Sequence, residues 1–325
     1  MIQTTLQVSD STSHVIEVLR SLSGVCYKQS AGWFPTKHWR ADFGHLDLAE
    51  TRRAAHVLRS CGYRAVTARQ VSDTISVIFA RCEAGALESI GIPAPFCPET
   101  DALLRCPRGL FVAIFGPDGV GKSSIGSAVV NGLAPFFDHQ RTVCWRPQFI
   151  SSRIPKEPHK FKLPHDASLH APLTSVAKLT GAFADFFLDH ATLTRNQLRG
   201  SSLIVWDRYF HDFRVDPKRY RYQGPARFSS LLLRSLSVPD HFLGIVLDAD
   251  ENVILRRKQE LPLDELQRQR SAYRCLAAEL PHTHIVPNEG DFEACLQNVL
   301  SLAMTRMAGW FEPIAGDLLH FDATI

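Results

Sequence analysis

One eight-residue loop constrains this 325-residue chain more than any other stretch. Residues 116–123 read Gly-Pro-Asp-Gly-Val-Gly-Lys-Ser, the complete G-x-x-x-x-G-K-S pattern of a phosphate-binding loop. An unbroken apolar run over residues 110–115 precedes the loop, and a helical pattern begins at Lys122. Because this context joins a buried strand to a helix, it predicts a site for a nucleoside triphosphate.

Each part of the loop has an expected chemical role. The glycines let backbone N–H groups point at phosphate oxygens, and the helix dipole strengthens the anion site. Lys122 is expected to reach the β- and γ-phosphates, and the Ser123 hydroxyl is expected to bind Mg²⁺. The predicted ATP-binding residues are Gly116, Asp118, Gly119, Val120, Gly121, Lys122, Ser123 and Ser124.

The composition is that of an ordinary globular protein large enough for two domains. Its net charge of +3 is too small to indicate a nucleic-acid partner. The first seven residues lack the pattern of a signal peptide, and no apolar stretch is long enough to span a bilayer. Eight scattered cysteines form no C-x-x-C pair and favour free thiols. These features predict a cytoplasmic protein.

Five apolar segments predict an α/β domain with a doubly wound, five-stranded parallel sheet, because helical segments separate them. Its strands are expected at residues 110–115, 141–147, 202–207, 241–248 and 284–287, with a long helix over 173–198. Asp207 ends the third strand, where a Walker-B-type carboxylate would face Mg²⁺. Residues 148–172 form a long basic loop that either contacts phosphate or is a solvated charged surface.

Residues 1–105 predict a smaller, separate α+β domain that ends in a proline-rich linker at 91–98. Residues 41–48 resemble the acidic motif of nucleotidyltransferase-like domains, but His45 replaces one carboxylate and leaves Asp47 alone. We interpret this domain as degenerate or as an interaction surface. The P-loop domain is assigned to residues 106–308, and an apolar C-terminal tail to 309–325.

The segment Asp207-Arg208-Tyr209, downstream of the P-loop, resembles thymidylate kinases and their relatives. This resemblance spans residues 109–307 and includes the arginines at 256–257 and Tyr273. Two further motifs resemble a bacterial branch of that family associated with polysaccharide gene neighbourhoods. They are Trp145-Arg146-Pro147 and the segment Asp-Pro-Lys-Arg-Tyr-Arg-Tyr at 216–222.

The resemblance implies transfer of the γ-phosphoryl group of ATP, with Mg²⁺, to a nucleoside monophosphate such as dTMP. The catalytic residues it implies are Lys122, Asp207, Arg208, Arg256 and Arg257. The substrate residues it implies are Asp118, Arg146, Arg208, Tyr209 and Tyr222, and the metal residues are Ser123 and Asp207. Members of the family commonly form homodimers.

Asp118 is followed by Gly119 and not by an arginine, and for such loops the resemblance implies that arginines in a lid stabilise the transition-state charge. Arg256 and Arg257 are the first candidates, with Arg268 and Arg270 behind them. The alternative is that these arginines are solvated charges on a helix.

The acceptor side departs from the family pattern. An arginine that would grip the acceptor phosphate is missing near Phe186, and the run from Asp207 to Tyr222 is longer than usual. Three functions therefore stay open: a nucleoside monophosphate kinase, a kinase of a sugar or glycan acceptor in polysaccharide biosynthesis, and an ATP-binding regulatory protein with little turnover.

Overall fold

The computed structural model describes residues 26–30, 36–42, 46–71, 74–83, 86–105, 109–144 and 169–320. The chain divides into two compact units, one comprising residues 1–106 with 300–325 and the other residues 107–299. Several predictions fall outside the described residues: the position of His45, the site role of Arg146, and nearly all of the basic loop 148–172.

The first unit contains a five-stranded mixed sheet whose spatial order is β1-β2-β5-β4-β3. Its strands are β1 (Cys26–Ser30), β2 (Thr36–Asp42), β3 (Arg64–Val71), β4 (Thr74–Glu83) and β5 (Ala86–Pro95). Its helices are α1 (Leu48–Ser60) and α2 (Pro98–Arg105). The β2–β5 pair is parallel and the other pairs are antiparallel. Alternating apolar residues of β4, including Ile75, Val77 and Phe79, are fully buried against α1 and its neighbours.

One sequence interpretation in this unit is corrected, and the role of Asp47 is explained. Residues 91–95 were expected in a linker but belong to β5, whose pairing with β4 extends to Pro95. The strand tolerates Pro93 and Pro95 because its pairing with β2 stops at Gly91, so both prolines lie beyond the paired stretch on that side. Asp47 is the N-cap of α1 and accepts a hydrogen bond from the Glu50 N–H in a capping box, which accounts for its position structurally.

The second unit contains the predicted parallel sheet, with spatial order β10-β9-β6-β8-β7. Its strands are β6 (Leu110–Phe115), β7 (His139–Cys144), β8 (Ser202–Asp207), β9 (Phe242–Asp248) and β10 (Thr283–Pro287). The doubly wound, five-stranded fold class is confirmed. All six residues of β6 are buried, because this central strand is flanked by β8 and β9.

Helices connect these strands, and a last helix follows β10 and continues into the first unit. They are α3 (Lys122–Leu133), α4 (Pro172–Asp189), α5 (Arg195–Arg199), α6 (Asp212–Val215), α7 (Ala226–Ser235), α8 (Glu251–Arg257), α9 (Leu263–Glu279) and α10 (Phe292–Leu319). The long helix predicted over 173–198 is interrupted by a π-helical turn, His190–Thr194. Among the described helices, none combines the length and the apolar character that crossing a bilayer requires.

The end of α10 contains most of the residues assigned to the apolar C-terminal tail. Residues 309–319 are helical, and Phe311, Ala315 and Leu319 are buried in the core of the first unit. The buried Glu312 carboxylate accepts a hydrogen bond from Arg64 Nε at 3.0 Å and forms an ion pair with Arg59. Apolar residues at helical spacing therefore build part of a core here.

Candidate active site

The P-loop leaves the carboxyl end of the central strand β6 and curls through three glycines with positive φ. Gly116, Gly119 and Gly121 have φ values of 139°, 85° and 100°. A Cβ atom on Gly116 would lie 2.6 Å from the Leu247 carbonyl oxygen, and one on Gly121 would lie 2.7 Å from Asn288 Nδ2. A side chain at Gly116 would clash with backbone, and one at either position would be strained by the positive φ.

The Lys122 ammonium group lies inside the curve of the loop. Its Nζ donates hydrogen bonds to the carbonyl oxygens of Gly116 and Pro117, each at 2.8 Å. The side chain is buried, and burial followed by the nearby Arg208 cation lowers the pKa of Lys122 to about 8. A desolvated cation in this position is well placed to bind an anion that enters the loop.

Ser123 and Asp207 bring together two oxygen ligands of the kind that Mg²⁺ prefers. Ser123 Oγ donates to Asp207 Oδ2 at 2.8 Å, joining the start of α3 to the end of β8. The other carboxylate oxygen, Asp207 Oδ1, is buried without a hydrogen-bond partner in the described part of the chain. An acceptor atom left in this state fits a hydrated cation, so these residues suit the expected metal.

A cleft with a volume of about 480 Å³ opens over the loop. Its walls come from the P-loop, the ends of β8 and α8, and the segment after β10. The lining residues are Asp118, Gly119, Gly121, Lys122, Ser123, Ser124, Asp207, Arg208, Arg257, Lys258, Asn288, Gly290 and Phe292. Asn288 also donates from Nδ2 to the Val120 carbonyl oxygen at 2.7 Å, which fixes the loop to the end of the sheet.

Arg208 follows β8 directly and has a φ of 67°, in the left-handed region that non-glycine residues seldom adopt. Its guanidinium group forms ion pairs with Asp118 of the P-loop and, at 3.0 Å, with Asp212 at the start of α6. The strained backbone is held by tertiary contacts and aims a buried cation at the loop.

Asp212 is the hub of the network behind Arg208. Its side chain has no solvent exposure and accepts hydrogen bonds from the Tyr273 hydroxyl at 2.5 Å and the Tyr220 hydroxyl at 2.7 Å. Burial would raise the pKa of Asp212, but the Arg208 charge and the two tyrosine hydrogen bonds outweigh it and lower the pKa. The carboxylate therefore stays ionised and anchors Arg208.

Asp118 also pairs with a second guanidinium group, that of Arg219, which the prediction of site residues did not include. Arg219 Nη1 donates to Asp118 Oδ2 at 2.8 Å, while Arg208 pairs with the other carboxylate oxygen. Burial would raise the pKa of Asp118. The Arg208, Lys122 and Arg219 cations outweigh burial and lower that pKa to about 2. The only sequence signal for Arg219 was its place in the 216–222 motif, which by itself assigns no contact.

Of the four arginines expected in the lid, one lines the cleft and the other three do not. Arg257 lines the cleft and Arg256 is exposed, with its Nε donating to the Asn252 carbonyl oxygen at 3.2 Å. Arg268 pairs with Glu265 at 2.7 Å, and Arg270 pairs with Asp248 at 2.7 Å. Of the four, Arg257 is therefore the one that this conformation brings to the cleft.

Two further predicted substrate residues, Tyr209 and Tyr222, are not among the residues that line the cleft. Tyr209 is buried in an aromatic core, with its ring centre 5.2 Å from that of Trp206. The Tyr222 hydroxyl donates to the Pro225 carbonyl oxygen at 3.0 Å. Phe186 lies near the position where an arginine of the family pattern is missing. Its ring centre is 5.1 Å from that of Trp206 in the same core. A charged guanidinium group at that position would be buried among aromatic rings.

Comparison with known proteins found similarity among solved structures. A thymidylate kinase from Candida albicans is 18% identical, with a TM-score of 0.42, covering 66% of this chain and 94% of that one. A thymidylate kinase from Ehrlichia chaffeensis is 14% identical, with a TM-score of 0.40, covering 59% of this chain and 96% of that one. No family model and no curated protein sequence matches the chain. At these identities the similarity concerns the fold alone.

Proposed function

We propose that this protein is an ATP-dependent phosphotransferase. The observation that carries the proposal is the convergence of Lys122, Ser123 and Asp207 on one cleft, with Arg208 beside them. This set combines a cradle for a triphosphate with cations placed to oppose the charge of phosphoryl transfer.

In this proposal the loop amides and Lys122 hold the β- and γ-phosphates of the substrate ATP. Ser123 and Asp207 would hold Mg²⁺, which supplies neutralisation of charge on the phosphate oxygens. Arg208 stands between the loop and Asp212, so its guanidinium group can contact donor and acceptor oxygens without losing its buried anchor. Arg257 would approach from the α8 side of the cleft.

For the acceptor we propose a nucleoside monophosphate such as dTMP. The arginines around Asp118 support an acceptor that carries its own phosphate group. A sugar or glycan hydroxyl is the second candidate, favoured by one observation: Phe186 and its aromatic neighbours occupy the place where a phosphate-gripping arginine was expected.

The test is a screen of nucleoside monophosphates and sugar acceptors, with ADP release as the readout. We expect turnover on a monophosphate, and a loss of at least about 10³-fold in kcat/KM for Lys122→Ala, because that cation opposes transition-state charge. Lys178→Ala, which changes an exposed lysine on α4, is the matched control and should retain activity. Tight ATP binding without ADP release on any acceptor would contradict the proposal and favour the regulatory alternative.

A further inference from the structure

We propose that the turn formed by residues 216–222 is an acceptor-binding arm and that Arg219 is the residue that grips an anionic, phosphate-bearing acceptor. This inference rests on the proposed function and adds a specificity-determining residue to it. The juxtaposition that carries it is one carboxylate, Asp118, held between the guanidinium groups of Arg208 and Arg219 at the rim of the P-loop.

The turn is built to hold Arg219 in place. The Arg219 backbone N–H donates to Asp216 Oδ1 at 3.1 Å, and the backbone N–H groups of Tyr220 and Tyr222 donate to the Pro217 carbonyl oxygen at 3.2 and 3.1 Å. The next side chain, Tyr220, is tied to the buried Asp212. Because the Arg219 backbone and the neighbouring Tyr220 are both anchored, the position of the Arg219 guanidinium group is preorganised.

The two arginines differ in what holds them. Arg208 has a second carboxylate partner in Asp212, which is fully buried. Among the described residues, the ion-pair partner of Arg219 is Asp118, and the Arg219 side chain remains 19% exposed. An entering phosphate group can therefore replace Asp118 as the ion-pair partner of Arg219, while Arg208 keeps its ion pair with Asp212.

The location of this pair matches an acceptor position. Asp118 Oδ1 lies 3.6 Å from Lys122 Nζ, the cation expected at the donor phosphates. An anion bound where Asp118 meets Arg219 would thus lie next to the transferred group. A planar guanidinium group offers paired N–H donors that match phosphate oxygens, which favours a phosphate monoester over an uncharged hydroxyl acceptor. The arm supplies the arginine that the α4 position near Phe186 lacks.

The first test measures anion binding directly, without turnover. Inorganic phosphate is titrated calorimetrically into the full chain saturated with Mg²⁺ and a non-hydrolysable ATP analogue, so that the P-loop is filled. We expect Arg219→Ala to weaken phosphate binding at least about tenfold, because it removes a charged bidentate donor. Arg219→Lys, which keeps the charge, should bind with intermediate affinity. Arg227→Ala, an exposed arginine on α7, is the matched control and should bind like the wild type.

Kinetics with an acceptor from the ADP-release screen supply the second readout. Arg219→Ala should raise KM for a phosphate-bearing acceptor at least about tenfold and leave KM for ATP within about twofold. Thermal unfolding of each variant checks that the fold is retained. If Arg219→Ala unfolds, the phosphate affinity and the acceptor KM of Arg219→Lys are compared with those of the wild type instead.

Equal phosphate affinity in the wild type, Arg219→Lys and Arg219→Ala would overturn the inference, as would a wild type that binds no phosphate at millimolar concentration. Failure of the proposed function has a different signature: phosphate binding that depends on Arg219, with no ADP release on any acceptor.

Discussion

The proposed donor and acceptor sides of the cleft are built in opposite ways. On the donor side, eight consecutive residues, 116–123, supply nearly every contact expected for a triphosphate, and their shape depends on three glycines with positive φ. On the acceptor side, the network joins Asp118 of the P-loop to Arg208, Asp212 and Arg219 of one segment and to Tyr273 of α9. The donor side therefore depends on a local backbone conformation, and the acceptor side depends on a network of buried charges.

Because of this difference, substitutions on the two sides should affect function and stability to different degrees. A local loop can bind phosphate through backbone N–H groups and so tolerates changes elsewhere. A buried charge network holds its shape only while each ion keeps its partners, because an isolated buried charge is strongly unfavourable. Substitutions on the donor side should therefore change catalysis first, and substitutions on the acceptor side should change folding as well.

The sharpest test of that contrast is Asp212→Ala. We expect it to lower the free energy of unfolding by about 3 kcal/mol, because Arg208 loses its inner partner and two tyrosine hydroxyls lose their acceptor. Asp212→Asn should cost less, since its amide oxygen still accepts a hydrogen bond. Denaturant unfolding monitored by fluorescence measures both.

The control for this test is Glu279→Ala, which removes the partner of Arg214 in an exposed ion pair. Its cost should stay below about 1 kcal/mol, because water screens the charges. Equal losses for the buried and the exposed pair would contradict the view that the acceptor side is a structural hub.

On the donor side, Gly121→Ala tests the backbone. Its φ of 100° and the 2.7 Å approach to Asn288 Nδ2 predict a loss of about 2 kcal/mol in unfolding free energy, together with weaker ATP binding. Gly181→Ala lies in α4 with open space around the added Cβ, so helix propensity should raise stability by about 0.5–1 kcal/mol. Unfolding curves and ATP titrations of both variants check this. Unchanged ATP affinity in Gly121→Ala would count against a loop whose function depends on its glycines.

The smallest expected effect is a pH dependence of ATP binding, which should come from Lys122 and not from Asp118. With a pKa of about 8 in the free protein, Lys122 loses its proton as pH rises above that value, and ATP binding must then take one up. The ATP dissociation constant should therefore rise by up to about tenfold per pH unit above pH 8. The Asp118 carboxyl, with a pKa of about 2, stays ionised throughout and adds no change.

Lys122→Arg is the control for this titration, because arginine keeps its charge across the whole range. ATP titrations of the two proteins from pH 6 to pH 10 measure the difference. A wild-type profile as flat as that of Lys122→Arg would show that burial does not lower the pKa of Lys122.

Sequence reasoning succeeded where the signal is local. The strand β6, predicted at residues 110–115, has these bounds in the structure, and the next strands shift by at most a few residues. It failed at β5, where prolines suggested a linker, because the strand is defined by the neighbours it pairs with. It also missed Arg219, since a motif gives the order of residues and not which carboxylate an arginine will meet.

The sequence alone therefore determined the P-loop, its flanking strand and helix, the parallel sheet and the carboxylate at the end of β8. These features follow from consecutive residues, whose backbone conformations and apolar periods are set by short-range forces. Only the tertiary structure decided that Asp118 sits between two arginines, that Asp212 anchors one of them, and that the last helix completes the core of the first unit. The contacts of Asp118 with Arg208 and Arg219 join residues 90 and 101 positions apart, and folding alone brings them within hydrogen-bonding distance.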